Sequence, residues 1–286
     1  MVEYFSLLKK SWNDFRNNLV LFLPIIFGFL LGIGFLLLLG AEFFVFYAMF
    51  SASIIGNPLQ IFSSVVGVFL LVFFVLIDII AGITLKAYTS SMLIGMYKEV
   101  IDRKKAVTSM FVFGRRYFKQ YFWVSLIKML LIFVPFLVLA GICALAFLGN
   151  VIFGAIMSIF SFLLFIVYAA IIGFGLFFIE PIIVSENKTA WELIKNAFRY
   201  AKNNTGHVLM TWLVMFLVSI IVVGIFMFIS WPISIAQIGA EAAELAAVST
   251  SLTVISVIIT IIQAIAQIIM QLTLGLFRFN AYFIKR

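Results

Sequence analysis

Charged residues are scarce in this chain. Only 10% of its 286 residues are Asp, Glu, Lys or Arg, whereas 65% are hydrophobic and the mean hydropathy is +1.26. A soluble domain carries about 25% charged residues, because its surface must face water. The composition therefore excludes an ordinary water-soluble globule and predicts that lipid surrounds most of the side chains.

The residues that build catalytic and metal sites are also scarce. Cys143 is the only cysteine, so the chain cannot form an internal disulfide. His207 is the only histidine, and we interpret it as an ordinary residue at the membrane surface. The sequence contains no HExxH, CxxC, P-loop or G-x-S-x-G motif. We therefore expect no catalytic residues, no metal and no cofactor. Nucleic-acid binding is not expected either, since no soluble folded region is available for it.

Six apolar stretches reach the roughly 20 residues that a helix needs to cross the hydrocarbon core of a bilayer. Two of them are separated only by Gly149 and Asn150, a turn signal that predicts a tight antiparallel hairpin. The prediction is an all-α, polytopic membrane protein that forms a single domain over residues 1–286. The predicted spans cover about 19–40, 59–85, 121–148, 151–179, 206–231 and 250–275.

The ends of two of these stretches need interpretation. After the first, the sequence stays apolar, interrupted by Glu42, until a Gly-Asn-Pro turn ends at Pro58. We interpret 41–58 as a segment on the outer membrane surface, with a longer tilted helix as the alternative. The fourth stretch runs into Glu180 and Pro181. Because proline disfavours helix at the preceding residue, we expect that span to stop there, with Glu180 paired to a nearby base.

Basic residues are distributed unequally between the two ends of the predicted spans. Eighteen of the 19 Lys and Arg residues lie before the first span, in alternate loops, or after the last span. The opposite loops carry only Glu42, Glu241 and Glu244, and Lys128 lies inside the third span. Since cytoplasmic loops carry the excess of Lys and Arg, we expect a multi-pass protein of the cell membrane with both termini in the cytoplasm.

Three segments that precede outward-going spans resemble one another, at about 3–17, 106–120 and 189–203. Each is basic and contains aromatic residues at helical spacing, and in the last one Thr189 and Glu192 fit the capping-box pattern. Amphipathic helices of this kind lie in the headgroup plane. The pattern predicts three repeats of one interfacial helix plus two spans; the alternative is that every approach to the inner leaflet looks basic and aromatic. The basic residues expected to contact anionic inner-leaflet lipids are Lys9, Lys10, Arg16, Arg115, Arg116, Lys119, Lys195, Arg199 and Lys202.

A longer pattern spans residues 180–218, EPIIVSENKTAWELIKNAFRYAKNNTGHVLMTWLVMFLV, with a shorter match at 16–24, RNNLVLFLP. In these stretches the chain resembles a broad superfamily of prokaryotic six-helix membrane proteins. That superfamily includes the membrane domain found beside glycerophosphodiester phosphodiesterases, and several families of unknown function. The resemblance implies the six-helix layout. It does not extend to a soluble phosphodiesterase domain, so it implies no activity.

Two charged residues are predicted to lie within spans, where charge is costly and indicates function by default. Asp78 lies about two turns from the basic end of the second span, and Lys128 lies at a comparable depth in the third. A pair between them is one hypothesis. The alternative is that Lys128 extends to the inner headgroups, while Asp78 bonds a hydroxyl group or water.

The sixth span carries a line of polar side chains at spacings of four, three, four and four: Ser256, Thr260, Gln263, Gln267 and Gln271. Unsatisfied amides in hydrocarbon cost several kcal/mol, so this face is expected to meet protein or water. Interhelical hydrogen bonding and a hydrophilic path stay open as alternatives.

Each of these two interpretations of the sixth span predicts a different function. The first hypothesis is a non-enzymatic scaffold or accessory subunit that packs against lipids, a membrane-protein partner or a second copy of the chain. The second is a small-molecule or lipid transporter that uses the polar face of the sixth span. An intramembrane enzyme is the least favoured hypothesis.

Overall fold

The computed structural model describes residues 2–53, 65–243 and 245–285, and these residues form helices with no strand among them. A one-turn 3₁₀ helix, Leu19–Phe22, follows the first helix. The α-helices are α1 (Val2–Arg16), α2 (Leu23–Ser53), α3 (Val65–Arg103), α4 (Met110–Gly149), α5 (Val151–Gly175), α6 (Ile179–Ser185), α7 (Ala190–Asn203), α8 (Thr205–Ala242) and α9 (Ala246–Lys285).

Six of these helices, α2, α3, α4, α5, α8 and α9, are long and apolar enough to cross a membrane. The all-α, six-span prediction is therefore confirmed. The helices run well beyond the predicted spans, and in α8 this holds even though Pro232 lies at the predicted boundary. Helix α3, for example, continues to Arg103 and α8 continues to Ala242.

The segment after the first span is helical as far as the structure describes it. Residues 41–53 continue α2 without a break, which corresponds to the longer-helix alternative and not to a separate surface segment. Neither proline nor glycine interrupts the chain between Gly40 and Ser53, so nothing ends the helix there. Residues 54–58 of that prediction, and 59–64 of the second predicted span, lie outside the described residues.

The second of the three predicted surface helices is not a separate element. Of the predicted segment 106–120, only residues 106–109 lie in the loop. Residues 110–120 are the first turns of α4, continuous with the span. Their buried side chains, among them Phe113 and Tyr117, pack against α3, where Gly95 leaves room for the Phe113 ring. Packing against α3 thus holds these turns in line with the rest of the helix. The first and third predicted segments do form separate helices, α1 and α7.

Buried polar groups hold the α3–α4 loop in place. The carboxylate of Glu99 accepts hydrogen bonds from the backbone N–H of Val107 at 3.2 Å and of Thr108 at 3.1 Å, and from the Thr108 hydroxyl at 2.6 Å. On the other side, the Asn18 side chain accepts from the N–H of Ala106 at 2.9 Å and donates to the Lys104 carbonyl at 3.2 Å. The loop is therefore bonded to α3 and to the end of α1.

The predicted α4–α5 hairpin is confirmed. Helix α4 ends at Gly149, and the side chain of Asn150 accepts hydrogen bonds from the N–H groups of Ile152 at 2.8 Å and Phe153 at 3.2 Å. These two donors are among the four that every helix start leaves without an internal partner. A single residue, Asn150, thus links the two spans and caps the start of α5.

The buried core lies at one end of the helices, the end that carries most of the basic residues. It is formed by 87–100 of α3, 113–124 of α4, 172–184, α7, and 272–282 of α9. Toward the other end the spans are mostly exposed: between 0% and 28% of the most apolar 18-residue window of each span is buried inside the protein. Lipid is as apolar as leucine, so the hydrophobic effect does not pull spans together within a bilayer.

Helix α1 packs on the protein core as well as presenting a face to the surroundings. Leu7, Ser11 and Phe15 are buried, and Asn280 of α9 donates a hydrogen bond to the Ser11 hydroxyl at 3.0 Å. Phe5 and Trp12, which are also apolar, stay exposed. The helix is therefore attached to α9 on one side while its aromatic side chains remain available to lipid.

Candidate functional site

The polar line on α9 is the candidate site that the sequence predicts most directly. Gln263 and Gln267 are half-buried and Gln271 is exposed. Among the described residues, none of the three amide groups forms a hydrogen bond. The glutamines therefore do not stabilise the packing of α9 against the rest of this chain, and their hydrogen-bonding capacity is available to something outside it.

The direction of this face follows from its neighbours in the next turns. Gly275, four residues after Gln271, packs directly against the side chain of Tyr97 on α3. Arg278, three residues later, forms an ion pair with Glu180 of α6. Residues three and four apart lie on the same helix face. The glutamines thus extend the face by which α9 contacts α3 and α6, into the region where the helices no longer pack closely.

Glu180 does pair with a base, as expected, but the chain around it differs from the prediction. Helix α5 ends at Gly175, and Pro181 lies in the first turn of the separate short helix α6. Proline is tolerated there because the N–H groups of a first helical turn have no internal partner anyway. Tyr121 of α4 donates a further hydrogen bond to Glu180 at 3.4 Å. The Arg278–Glu180 pair therefore joins α9, α6 and α4.

Lys128 is exposed, and Lys86 and Arg278 each lie close enough to it for their positive charges to repel its own. These three residues come from α4, α3 and α9. Lys86 is also exposed, and neither lysine forms an ion pair among the described residues. The end of the polar line nearest Arg278, its foot, thus holds three cations and one carboxylate, Glu180. Sequence reasoning missed Lys86, which looked like one of many bases at the end of a span.

Asp78 lies next to Glu42 of α2 instead of Lys128. It is half-buried, and one oxygen of its carboxylate is buried with no hydrogen-bond partner. No Asp78–Lys128 ion pair occurs among the described residues. The five predicted site residues are therefore divided: Lys128 lies near the foot of the α9 line, whereas Asp78 belongs to a pair of carboxyl groups between α2 and α3. The extension of α2 through residue 42 is what brings Glu42 there.

His207 is bonded at both ring nitrogens. A backbone carbonyl can only accept, so Nε2 donates to Ala281 at 3.1 Å, and Nδ1 therefore accepts from the Tyr4 hydroxyl at 2.8 Å. The ring also stacks on Phe178 with an interplanar angle of 6°. These contacts join α1, α8 and α9. Histidine here links helices, and the described residues contain no group of His, Cys, Asp and Glu side chains arranged to hold a metal.

The predicted membrane-surface bases are available to the surroundings. All nine are exposed except Lys10, which is half-buried. On α7 the exposed Lys195, Arg199 and Lys202 lie opposite a buried face that includes Leu193 and Ala197. The capping box predicted for this helix is present, since Thr189 and Glu192 each accept a hydrogen bond from the other's backbone N–H. The residues at the start of α7 thus determine where its basic face begins.

Comparisons of the chain with protein families, curated proteins and solved structures found no match.

Proposed function

We propose that this chain is a non-enzymatic scaffold or accessory subunit of the cell membrane that packs against lipids, a partner protein or a second copy of the chain, and that the polar face of α9 is the part that contacts protein. One observation carries the proposal: Gln263, Gln267 and Gln271 lie on a span-length helix and form no hydrogen bond with the described residues. A buried amide without a partner costs several kcal/mol in hydrocarbon. A partner outside the chain removes that cost.

The weak burial of the spans supports the same proposal. No span has more than 28% of its most apolar window buried inside the protein, so large apolar faces are free to contact other membrane helices or acyl chains. A folded core at one end is sufficient to hold the bundle together, while the spans present surface. The resemblance to six-helix membrane domains is part of this proposal, as is the location of both termini in the cytoplasm.

The alternative function is transport of a small molecule or lipid. A separate observation favours it: the α9 line ends at Lys86, Lys128 and Arg278, where an anionic substrate would find charges of the right sign. In this mechanism the glutamine amides bind the substrate in turn as it moves along α9. The carboxyl pair of Asp78 and Glu42, between α3 and α2, is then available to a coupled proton or cation.

Thiol accessibility distinguishes the two functions. Single Gln263→Cys, Gln267→Cys and Gln271→Cys variants in a Cys143→Ala background are treated with a membrane-impermeant maleimide, from each side of sealed native membranes. Full protection of all three, together with labelling after detergent extraction, is expected for packing. Labelling of all three from one side would contradict packing and would favour a water-filled path.

Flux measurements then test transport directly. If the chain transports an anionic substrate, Asp78→Asn and Lys128→Gln should each abolish flux in reconstituted vesicles. Lys119→Gln is the matched control, because it removes an exposed base of α4 outside the cation group. Equal flux in all variants would rule out a role for this site in transport.

A further inference from the structure

A groove lies between the end of α5 and the start of α8, and α7 closes it from below. Its volume is about 710 Å³, within the roughly 300–1,000 Å³ of pockets that hold small ligands. The lining is apolar, with Ile171 on α5, Phe198 on α7, and Leu209 and Trp212 on α8. Lys202 is the one charged residue of the lining.

Two glycines of α5 shape this α5–α8 groove. An added Cβ at Gly173 would meet no atom within 4 Å, so at this position the backbone of α5 faces open space in the groove. An added Cβ at Gly175 would collide with the ring of Phe198. Glycine at 175 therefore lets α7 approach and form the floor, whereas glycine at 173 keeps the space above the floor empty.

The groove opens sideways, toward the surroundings of the spans. Leu209 and Trp212 are 50% and 43% exposed, and Ile171 is 60% exposed. A water-soluble ligand would find almost no polar partners here, because hydrogen-bonding groups are what fix polar ligands in a pocket. An acyl chain requires none. The walls of the groove therefore match the hydrocarbon part of a lipid.

The charge on α7, at the floor of the groove, indicates which headgroup the lipid carries. Lys202 is exposed and forms no ion pair among the described residues. Arg199 and Lys195 are exposed on the same helix, so α7 presents three positive charges beside the groove. Bases near an anionic membrane surface are attracted to it. Lysine binds a phosphate as a point charge.

A second groove has the same construction. It lies between α1, α8 and α9 and has a volume of about 560 Å³. Lys9 and Trp12 of α1 line it, together with Thr273 and otherwise apolar residues of α8 and α9. In both grooves a helix outside the spans contributes one lysine, and two span-length helices contribute apolar walls. The two grooves thus lie on either side of α8.

We propose that the α5–α8 groove is a binding site for an anionic phospholipid, with an acyl chain along Gly173 and the phosphate at Lys202. The α1–α8–α9 groove is an equivalent site with Lys9 at the phosphate. This site goes beyond the proposed function, since it is distinct from the polar face of α9 and holds for a scaffold and for a transporter alike.

The test uses the full chain in nanodiscs that contain phosphatidylglycerol and phosphatidylcholine. The phosphatidylglycerol carries a photoactivatable group in its acyl chain. Crosslinked peptides are identified by mass spectrometry, and retained lipids are counted by native mass spectrometry after transfer to detergent. The wild-type chain is expected to crosslink at 170–174 and 209–212, and to retain phosphatidylglycerol in preference to phosphatidylcholine.

Three variants separate the two parts of the site. Gly173→Phe fills the groove and should lower crosslinking at 209–212 at least fivefold. Lys202→Gln removes the charge and should lower the preference for phosphatidylglycerol about threefold or more. In a parallel experiment, a phosphatidylcholine with the same photoactivatable acyl chain should crosslink to Lys202→Gln as it does to the wild-type chain. Gly141→Phe is the matched control, since an added Cβ at Gly141 also meets nothing within 4 Å and this residue lines neither groove. It should behave as wild type.

Several outcomes would overturn the proposal. Crosslinking in Gly173→Phe equal to wild type would exclude the groove as the acyl site; Gly173→Leu serves if the larger variant does not give a monodisperse protein. An unchanged headgroup preference in Lys202→Gln would exclude a phosphate at Lys202. If the wild-type chain forms a dimer and Gly173→Phe loses it with lipid retention unaltered, the groove would be assigned to a second copy of the chain.

Discussion

At the scale of single residues, Tyr168 compensates for a proline within a membrane helix. Pro135 lies in the middle of α4 and has no N–H, so the carbonyl of Leu131 lacks the partner that an ordinary helix provides. The hydroxyl of Tyr168 on α5 donates to that carbonyl at 2.7 Å. Prolines are tolerated in spans where a neighbouring group satisfies the backbone in this way. The bond also links the two helices of the hairpin.

Replacing this tyrosine tests the account. Tyr168→Phe should lower stability by about 1 kcal/mol, the typical net value of one interhelical hydrogen bond, measured as the unfolding free energy in mixed micelles. In a Pro135→Ala background the same replacement should cost close to nothing, because the alanine introduced there supplies its own N–H. Tyr47→Phe, at an exposed position of α2, controls for the loss of a hydroxyl. Equal effects in both backgrounds would show that the bond does not depend on the proline.

At the scale of elements, α7 illustrates a helix whose beginning is encoded locally. The N–H of Thr189 donates to the Glu192 carboxylate, and this bond is the largest cause that holds the pKa of Glu192 below its ordinary value of 4.5. A carboxyl group whose pKa is lowered by folding stabilises the folded state at pH values above its ordinary pKa. That contribution is lost as the pH falls through the lowered value.

Two variants check the capping box. Thr189→Ala should reduce stability by about 1 kcal/mol near neutral pH, as for other capping residues. Glu192→Gln should remove the part of the pH dependence that lies below 4.5, because its side chain does not titrate. The measurement is the unfolding midpoint in detergent between pH 3 and pH 7. A wild-type and a Glu192→Gln protein with parallel profiles would contradict the assignment.

At the scale of the whole molecule, the protein packs itself mainly at the end that carries the bases. There the polar contacts between helices are also concentrated, including Arg278–Glu180, His207–Ala281 and Asn280–Ser11. The remainder of each span is largely exposed. Stability is therefore expected to depend on a small part of the chain, while the long apolar helices serve mainly as surface.

Alanine replacements of one buried and one exposed leucine test whether stability depends mainly on the packed end. Leu276 is completely buried on α9, whereas Leu217 on α8 is 49% exposed. Leu276→Ala should destabilise the protein by about 2–5 kcal/mol, the range for a cavity in a packed core. Leu217→Ala should change stability by less than about 1 kcal/mol, since lipid or detergent fills the space. Comparable losses for both would show that the spans pack together as tightly as the core.

Much of the architecture was predictable because the signals are local. Composition and runs of about 20 apolar residues establish the six spans, Asn150 marks the tight hairpin, and Thr189 with Glu192 marks the start of α7. The polar line on α9 is likewise a matter of helical spacing. Helix ends were less accessible. The continuation of α2 through 41–53 was one of two alternatives, and whether 110–120 separates from the adjoining span depends on contacts with α3, which the sequence pattern does not display.

The composition and periodicity of the sequence alone determined the lipid solvent, the helices, and which residues share a face of α9. Only the tertiary structure decided which charges meet. Arg278 pairs with Glu180, 98 positions away, Lys128 lies near Lys86, and Asp78 lies near Glu42. The grooves on either side of α8 could not be predicted from the sequence either. The physical reason is that helical periodicity acts over a few residues, whereas the pairing of helices depends on how their surfaces pack together.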